Sequence, residues 1–157
     1  MALKERIHPK TQTKILTWEF QTLSHKDFHF FADLFLDEQG KKRVPENLFQ
    51  HPNFTPMSLA YWIMDDGGKM DYTENQGKGV EIHTQGFKKE DVEYLSEGLK
   101  NTYQLGCWIK TKKRDNKSFI AISGKSYEQL MDLIQPYIHP DMYHKLPTAR
   151  KIRQSES

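Results

Sequence analysis

The sequence has few of the features that mark secreted, membrane-spanning or disulfide-bonded proteins. Its 157 residues include one cysteine, Cys107, which excludes an internal disulfide and any cysteine-based zinc site. The longest apolar run, 59–64, is far shorter than the roughly 20 residues that cross a bilayer. The first residues, Met-Ala-Leu-Lys-Glu-Arg, contain no apolar signal core. We therefore expect a soluble intracellular protein without a membrane partner, and an organelle, a phage or a bacterium are all open as its source.

A strong net charge is also missing, so only the distribution of charges is informative. The formal net charge is +2. Residues 51–100 carry 5 basic and 9 acidic side chains, whereas residues 101–157 carry 10 basic and 5 acidic ones. An acidic middle third and a basic last third suit a metal-binding carboxylate site beside a nucleic-acid-binding surface. They also suit a soluble domain with unevenly solvated faces, and both interpretations stay open.

Hydrophobic periodicity predicts one α+β domain. Alternation of apolar and polar residues predicts strands over 13–22, 80–87, 103–110 and 118–123, with a less distinct strand over 69–73. Helical spacing predicts helices over 24–36, 57–66, 88–100 and 127–137. Ser24 and Thr55 are suitable N-caps, and Pro56 suits a first helical turn. This order of elements is typical of an α+β fold and not of a parallel βαβ repeat.

The segment most indicative of chemistry is an apolar helix that ends in two acids and two glycines, Asp65-Asp66-Gly67-Gly68. Carboxylates are unfavourable at a helix C-terminus, where the macrodipole is negative. Such a cost is expected where a cation offsets it, and aspartate oxygens are hard ligands suited to Mg²⁺. Asp-Gly is also a common turn pair. From the residues alone, a solvated turn is the simpler interpretation.

A family resemblance changes that balance. The stretch 59–67 resembles the LAGLIDADG signature of homing endonucleases, although Tyr61 and Trp62 stand where small or aliphatic residues are common. Further similarity to this family is found at 4–6, 17–18, 41–42, 82–85, 92–95 and 142–147. The resemblance implies the α+β LAGLIDADG fold, in which packed helices support an antiparallel DNA-binding sheet, with a single signature helix in this chain.

The resemblance also implies a catalytic site. Asp66 matches the carboxylate that binds a divalent metal, Mg²⁺ or Mn²⁺, and the backbone carbonyl of Asp65 is the expected second ligand. The metal would lower the pKa of bound water and stabilise charge on the phosphate. Lys42 and Lys145 match lysines that order this water or neutralise the developing charge. Ordinary solvated lysines would explain the same two residues.

The DNA-binding side chains implied by the resemblance lie on outward strand positions and in turns. Glutamine and arginine can bond base edges, whereas lysines mostly contact phosphates. For each candidate, a plain surface role is an equal alternative. The candidates are Lys4, Arg6, Lys69, Asp71, Thr73, His83, Gln85, Lys110, Lys112 and Arg114.

The chain contains one signature, whereas the chemistry of this family needs two acidic helix ends. By resemblance, residues 1–50 match the end of a first repeat with its linker, 51–148 match a complete LAGLIDADG repeat, and 149–157 form a polar tail. We therefore expect a second LAGLIDADG-containing chain as partner, either a split partner or a second copy; a truncated longer chain is the third option. Leu59, Ala60 and Ile63 are the predicted interface between the two signature helices.

The resulting prediction is a site-specific endonuclease that hydrolyses phosphodiester bonds of double-stranded DNA. The alternatives are an RNA-splicing maturase or a non-cleaving DNA-binding protein of the same fold. A structural domain whose acid pair is only a turn is a further alternative. Metal-stimulated cutting separates the enzyme from the binding proteins, and salt-sensitive DNA binding separates both from the structural domain.

Overall fold

The computed structural model describes residues 2–19, 21–70, 79–112 and 117–147, which form two compact units divided between Asp33 and Leu34. The first unit contains an antiparallel hairpin of β1 (Ala2–Ile7) and β2 (Lys14–Glu19), in which Ala2 pairs with Glu19 and Ile7 with Lys14. The strand predicted over 13–22 is confirmed in shorter form as β2. Strand β1 was not predicted.

Helix α1 (Phe28–Phe35) begins in the first unit and ends in the second. It starts four residues after Ser24, because a turn in which Phe28 donates to the His25 carbonyl at 3.0 Å precedes it. Ser24 is therefore not its N-cap. No residue of α1 is buried, and Phe28, Phe30 and Phe31 are all exposed.

The second unit is built around a four-stranded antiparallel sheet of order β3-β4-β6-β5. Its strands are β3 (Gly67–Lys69), β4 (Val80–Ile82), β5 (Cys107–Lys112) and β6 (Lys117–Ile122). Its helices are α2 (Pro56–Asp66), α3 (Lys89–Tyr103) and α4 (Tyr127–Ile134). Short 3-10 turns occur at Leu48–Gln50, Gly124–Ser126, Gln135–Tyr137 and Pro140–Lys145. The predicted helices and strands of this unit are confirmed in kind, except the strand over 69–73: β3 overlaps it only at Lys69, and 71–73 lie outside the described residues.

The differences in their bounds have local causes. β4 ends at Ile82 and not at 87, because a turn closes from Thr84 to Phe87. β5 begins at Cys107 and not at 103, because α3 continues to Tyr103 and ends at a left-handed Gln104 with φ of 55°. α4 ends at Ile134, since Pro136 has no N–H with which to continue it.

The helices pack on one face of the sheet and form the core there. Directly opposed residues of antiparallel strands share a face, so Ile82 and Ile109 lie beside Ile120, and Val80 lies beside Ile122. These strand residues pack with helix residues Leu59, Ile63, Leu95, Leu99, Leu130 and Ile134. The opposite face, which we call the outer face, presents residues that alternate with the core ones, including Glu81, Trp108, Lys110, Lys112 and Phe119.

None of the helices in the described ranges combines the length and the apolar character that crossing a bilayer requires. The one cysteine, Cys107, lies at the start of β5 and is 8% exposed. Burial raises the pKa of its thiol from the ordinary 9.0 to about 12. The thiol therefore stays protonated in the folded chain at a pH where an unfolded chain has already lost that proton.

We expect this difference to make the folded state less stable at alkaline pH. Between pH 9 and 12 the folded thiol holds a proton that the unfolded one releases, so the free energy of unfolding falls as the pH rises through this window. The Cys107 contribution falls by about 1 kcal/mol between pH 8 and pH 10. Urea denaturation at pH 8 and at pH 10 measures the change in the free energy of unfolding. Cys107→Ala should remove the Cys107 contribution to its pH dependence. An unchanged slope in Cys107→Ala would contradict the prediction.

Candidate active site and nucleic-acid interface

Helix α2 is fixed at its start by its own sequence. Thr55 is the N-cap, as predicted, and Pro56 occupies the first turn, where no N–H is needed. The Thr55 amide donates to Ser58 Oγ at 3.3 Å, and the Ser58 hydroxyl donates to the Asn53 carbonyl at 2.7 Å. Leu59, Ala60, Ile63 and Met64 then bury one side of the helix in the core. This arrangement directs the C-terminal end of α2, with its two aspartates, toward β3.

Three backbone carbonyls at that C-terminal end have donors. The Gly67 amide donates to Ile63, and the His83 amide donates to Asp66 at 2.9 Å. The Lys145 ammonium donates to the carbonyl of Asp65, with 2.6 Å between Nζ and O. Its positive charge thus lies where the helix dipole is negative and where two acids lie side by side. The structure therefore places Lys145, a predicted catalytic residue, at the acidic end.

The two carboxylates differ in exposure: the Asp65 side chain is exposed and the Asp66 side chain is half-buried. No ion pair joins either of them to a residue that the structure describes. Within the described ranges, no group of three or more His, Cys, Asp or Glu residues is arranged to hold a metal. Mg²⁺ usually keeps several waters and takes one or two carboxylates plus substrate phosphates. Asp65 and Asp66 fit such an open site and do not fit a closed protein cage.

Two further sequence predictions concern this end. The Asp65 carbonyl, expected as a metal ligand, accepts a hydrogen bond from Lys145; a metal would have to use its second lone pair. Lys42 is exposed, and its backbone bridges to Leu36. In the described part of the chain, neither a hydrogen bond nor an ion pair connects Lys42 to an aspartate of α2. The structure therefore brings Lys145, but not Lys42, into contact with the acidic end.

Four predicted DNA contacts, His83, Gln85, Lys110 and Lys112, gather around Phe119 of β6. Gln85 Nε2 donates to His83 Nδ1 at 3.0 Å. The His83 ring centroid lies 6.2 Å from that of Phe119, and the ammonium groups of Lys110 and Lys112 lie 5.8 and 5.4 Å from the same centroid. Phe119 is only 5% exposed as a result. The outer face therefore presents polar and cationic groups over one ring.

The remaining predicted contacts are placed differently. Lys69 pairs with Val80, a core residue, so it points to the helix side of the sheet and not to the outer face. Lys4 and Arg6 lie on one face of the first hairpin, and both bind Glu19, at 2.5 and 3.0 Å. Asp71, Thr73 and Arg114 lie outside the described residues.

The sequence profile of the LAGLIDADG DNA endonuclease family matches residues 2–130. The chain belongs to this family. The family also accounts for the α+β architecture, in which α2 is the signature helix and the outer face belongs to the antiparallel sheet. The fold class predicted from the sequence is thereby confirmed.

Individual relatives support the same assignment. The "Probable intron-encoded endonuclease 1" of Wickerhamomyces canadensis is 43% identical over 85% of this chain and 56% of its own length. The "Cytochrome b mRNA maturase bI2" of Saccharomyces cerevisiae is 31% identical over 85% of the chain and 30% of its own length. The solved structure of the homing endonuclease I-WcaI bound to its DNA recognition sequence matches with a TM-score of 0.83 and 41% identity, over 95% of this chain and 64% of that one. The chain thus spans less than two thirds of each of these relatives.

The exposed side of the signature helix differs from the predicted interface. Leu59, Ala60 and Ile63 are each 0% exposed and belong to this chain's own core, so they have no free surface for a second signature helix. The helix instead exposes Met57 and Tyr61, by 48% and 63%. These two are four residues apart and therefore share a face.

An open groove of about 900 Å³ runs along the signature helix beside Tyr61. It is lined by Tyr61, Trp62, Asp65, Tyr137, His139 and Met142 among others. The tyrosine that departs from the family signature therefore lines a surface and is not buried.

Two features of the outer face were not predicted as functional. Glu81 binds Lys110 through an ion pair of 3.2 Å, and Trp108 is 39% exposed on β5. Strand alternation does place both of these side chains outward. The partnership of Glu81 with Lys110 could not be read from the sequence, because the two residues are 29 positions apart.

Proposed function

We propose that the chain is part of a divalent-metal-dependent endonuclease that cuts double-stranded DNA at a specific site. The observation that carries the proposal is the 2.6 Å hydrogen bond from Lys145 Nζ to the Asp65 carbonyl. It fixes a cation beside two carboxylates at the end of the signature helix, which is the charge arrangement that phosphodiester hydrolysis uses. The relatives named as endonucleases support the same conclusion.

In this proposal, the Asp66 carboxylate and the Asp65 backbone carbonyl would hold Mg²⁺ or Mn²⁺ with the help of a DNA phosphate. The bound ion would supply an activated water and stabilise negative charge on the phosphate. Lys145 has three N–H donors, of which one binds the Asp65 carbonyl. The other two can donate to a phosphate oxygen as its charge increases during the reaction. Lys42 is proposed to act at the second acidic helix end.

The proposed enzyme includes a second LAGLIDADG-containing chain. Two surfaces support this part of the proposal: the face of α2 that exposes Met57 and Tyr61, and the first unit, whose apolar side chains are widely exposed. A two-stranded hairpin is marginally stable without further packing. The partner is either a second copy or a separate chain that supplies a first repeat. Light scattering on the purified chain separates a dimer of two 18.6 kDa chains from a monomer.

Charging the exposed side of the signature helix should weaken this association. Tyr61 is 63% exposed, so Tyr61→Glu should fold normally but place an uncompensated charge in the interface. We expect the dissociation constant, measured by analytical ultracentrifugation, to rise at least about tenfold. Thr102→Glu on α3 is the matched control and should leave association unchanged. If Tyr61→Glu and the unmodified chain have the same dissociation constant, the interface does not include this side of the helix.

DNA binding through the outer face should depend steeply on salt. Lys112 is exposed and lies 5.4 Å from the Phe119 ring centroid, a position suited to a phosphate contact. We expect Lys112→Met to reduce the slope of log K against log salt by about 1. Lys89→Met, on the exposed start of α3, should leave the slope unchanged. Fluorescence anisotropy with generic duplex DNA measures both slopes, and equal slopes would remove Lys112 from the interface.

A maturase is the second candidate, favoured by the similarity to the maturase bI2 of Saccharomyces cerevisiae. It would use the same outer face to bind structured RNA and would need no cutting of DNA. We call this chain, together with whichever partner light scattering indicates, the assembled enzyme. Incubating the assembled enzyme with a randomised duplex DNA library tests the two candidates. Cut ends that appear with Mg²⁺ and not after chelation support the endonuclease, whereas splicing stimulation without any cutting supports the maturase.

A further inference from the structure

Trp108 of β5 is a large apolar side chain that stays exposed on the outer face of the sheet. Its exposure is 39%, whereas Phe119 and Met70, two apolar residues close to it in the sheet, are 5% and 6% exposed. The Lys110 side chain contacts both of them: its Nζ lies 5.8 Å from the Phe119 ring centroid and 3.6 Å from Met70 Sδ. The outer face thus shields these two apolar side chains from solvent and leaves the Trp108 indole accessible.

The strand register gives this indole neighbours without net charge. Trp108 is directly opposite Ala121 on β6, and Ala121 is directly opposite Glu81 on β4. Two residues further along β5, the Lys110 ammonium binds the Glu81 carboxylate, with 3.2 Å between Nζ and Oε1. These two charges offset each other. On these strands, the outer-face neighbours of Trp108 are therefore an alanine and a neutral ion pair.

The other end of β5 is cationic. Lys112 is exposed and lies directly opposite Lys117 on β6. A strand rises about 3.3 Å per residue, so Trp108 lies about 13 Å from Lys112 along β5. The strands β5 and β6 are neighbours at one edge of the described sheet, and a two-stranded ribbon fits the major groove. Such a ribbon can direct its lysine end to phosphates and its Trp108 end to base edges.

Thymine is the base that presents an apolar group, its C5-methyl, in the major groove. An uncharged aromatic surface suits this methyl group and does not suit a phosphate. Tryptophan also offers a large, rigid contact area and loses little conformational entropy on binding, because its side chain has only two torsions. Resting on the proposed function, we propose that Trp108 is a specificity-determining residue that binds the C5-methyl group of a thymine in the DNA site.

Replacing single thymines with uracil tests this inference. Duplexes that the assembled enzyme binds without divalent metal are selected from a randomised library, and the tightest of them is resynthesised with one deoxyuridine at a time. Uracil pairs as thymine does and lacks only the methyl group. We expect the replacement at one or two positions to raise the Kd, measured by fluorescence anisotropy, about fourfold. Trp108→Ala should lose this difference at the same positions.

Two further variants separate the methyl contact from folding and from charge. Trp108→Phe keeps an apolar ring and should retain most of the difference between thymine and uracil. Lys112→Met lies on the same face of the same strand; it should weaken binding of all duplexes alike and retain the whole difference. Urea denaturation checks that each variant is folded.

Two contrary outcomes are distinguishable. If Trp108→Ala keeps the full difference between thymine and uracil, or if the unmodified enzyme shows none at any position, the role of Trp108 is overturned and the proposed function stays intact. If the unmodified assembled enzyme selects no DNA from the library, the proposed function and the inference are overturned together.

Discussion

Replacing Asp66 with Asn is expected to abolish DNA cutting by the assembled enzyme while DNA affinity changes little. The half-buried Asp66 carboxylate lies at the C-terminal end of α2, beside the Lys145 ammonium that binds the Asp65 carbonyl. An amide lacks the negative charge needed to hold the metal, so we expect the single-turnover rate to fall at least about a thousandfold, or about 4 kcal/mol. Affinity, measured by anisotropy, should stay within about threefold, because the proposed DNA contacts lie on the outer face.

Asp65→Asn is the matched control for this experiment. The Asp65 side chain is exposed, and its proposed contribution to the metal is mainly through the backbone carbonyl, which the substitution keeps. We expect its rate to fall by no more than about tenfold. Undiminished cutting by Asp66→Asn would remove Asp66 from the reaction. Equal losses in the two variants would indicate that the carboxylates act together as side chains.

Replacing Gly67 with Ala is expected to destabilise the second unit strongly. A Cβ at this position would lie 2.3 Å from the backbone oxygen of Ile63 and 2.9 Å from its Cα. Backbone atoms of a helix cannot move aside without breaking the hydrogen bond from the Gly67 amide to that same oxygen. We therefore expect the free energy of unfolding to fall by about 2–3 kcal/mol, as measured by urea denaturation.

Gly86→Ala is the matched control, because nothing lies within 4 Å of its added Cβ and its backbone is not in the left-handed region. It should change the free energy of unfolding by less than about 1 kcal/mol. Similar stability of the two variants would show that the helix end adapts to a side chain. In that case the close approach of Gly67 to Ile63 would not explain why glycine directly follows the acidic pair.

Local sequence signals were sufficient to predict the bounds of the signature helix. They were not sufficient to predict that Lys145 contacts its acidic end. Thr55-Pro56 and Gly67 marked the bounds of α2, and the apolar spacing of α3 and α4 identified core helices. The contact from Lys145 to Asp65 joins residues 80 positions apart. No periodicity reports such a contact, and only the family resemblance suggested that Lys145 belongs to the site.

Two differences between the sequence predictions and the structure have physical causes: the unpredicted strand β1 and the burial of Leu59, Ala60 and Ile63. β1 carries Lys4, Glu5 and Arg6 in succession, so polar side chains fall on both of its faces and the alternation that marks a half-buried strand is missing. The signature helix has apolar residues on more than one side, including Leu59 toward the core and Met57 on the exposed side. Sequence spacing cannot tell which apolar side faces the chain's own core, so Leu59, Ala60 and Ile63 were predicted as an interface although this core buries them.

The measurement that tests the central claim most directly is the rate of DNA cutting by the assembled enzyme as a function of divalent metal. A randomised duplex library is incubated with the enzyme in Mg²⁺, in Mn²⁺ and after chelation, and cut ends are counted by sequencing. We expect cutting with either metal, none after chelation, and none by Asp66→Asn under any condition. Cutting that continues after chelation, or that Asp66→Asn retains, would contradict a metal-dependent site at the end of the signature helix.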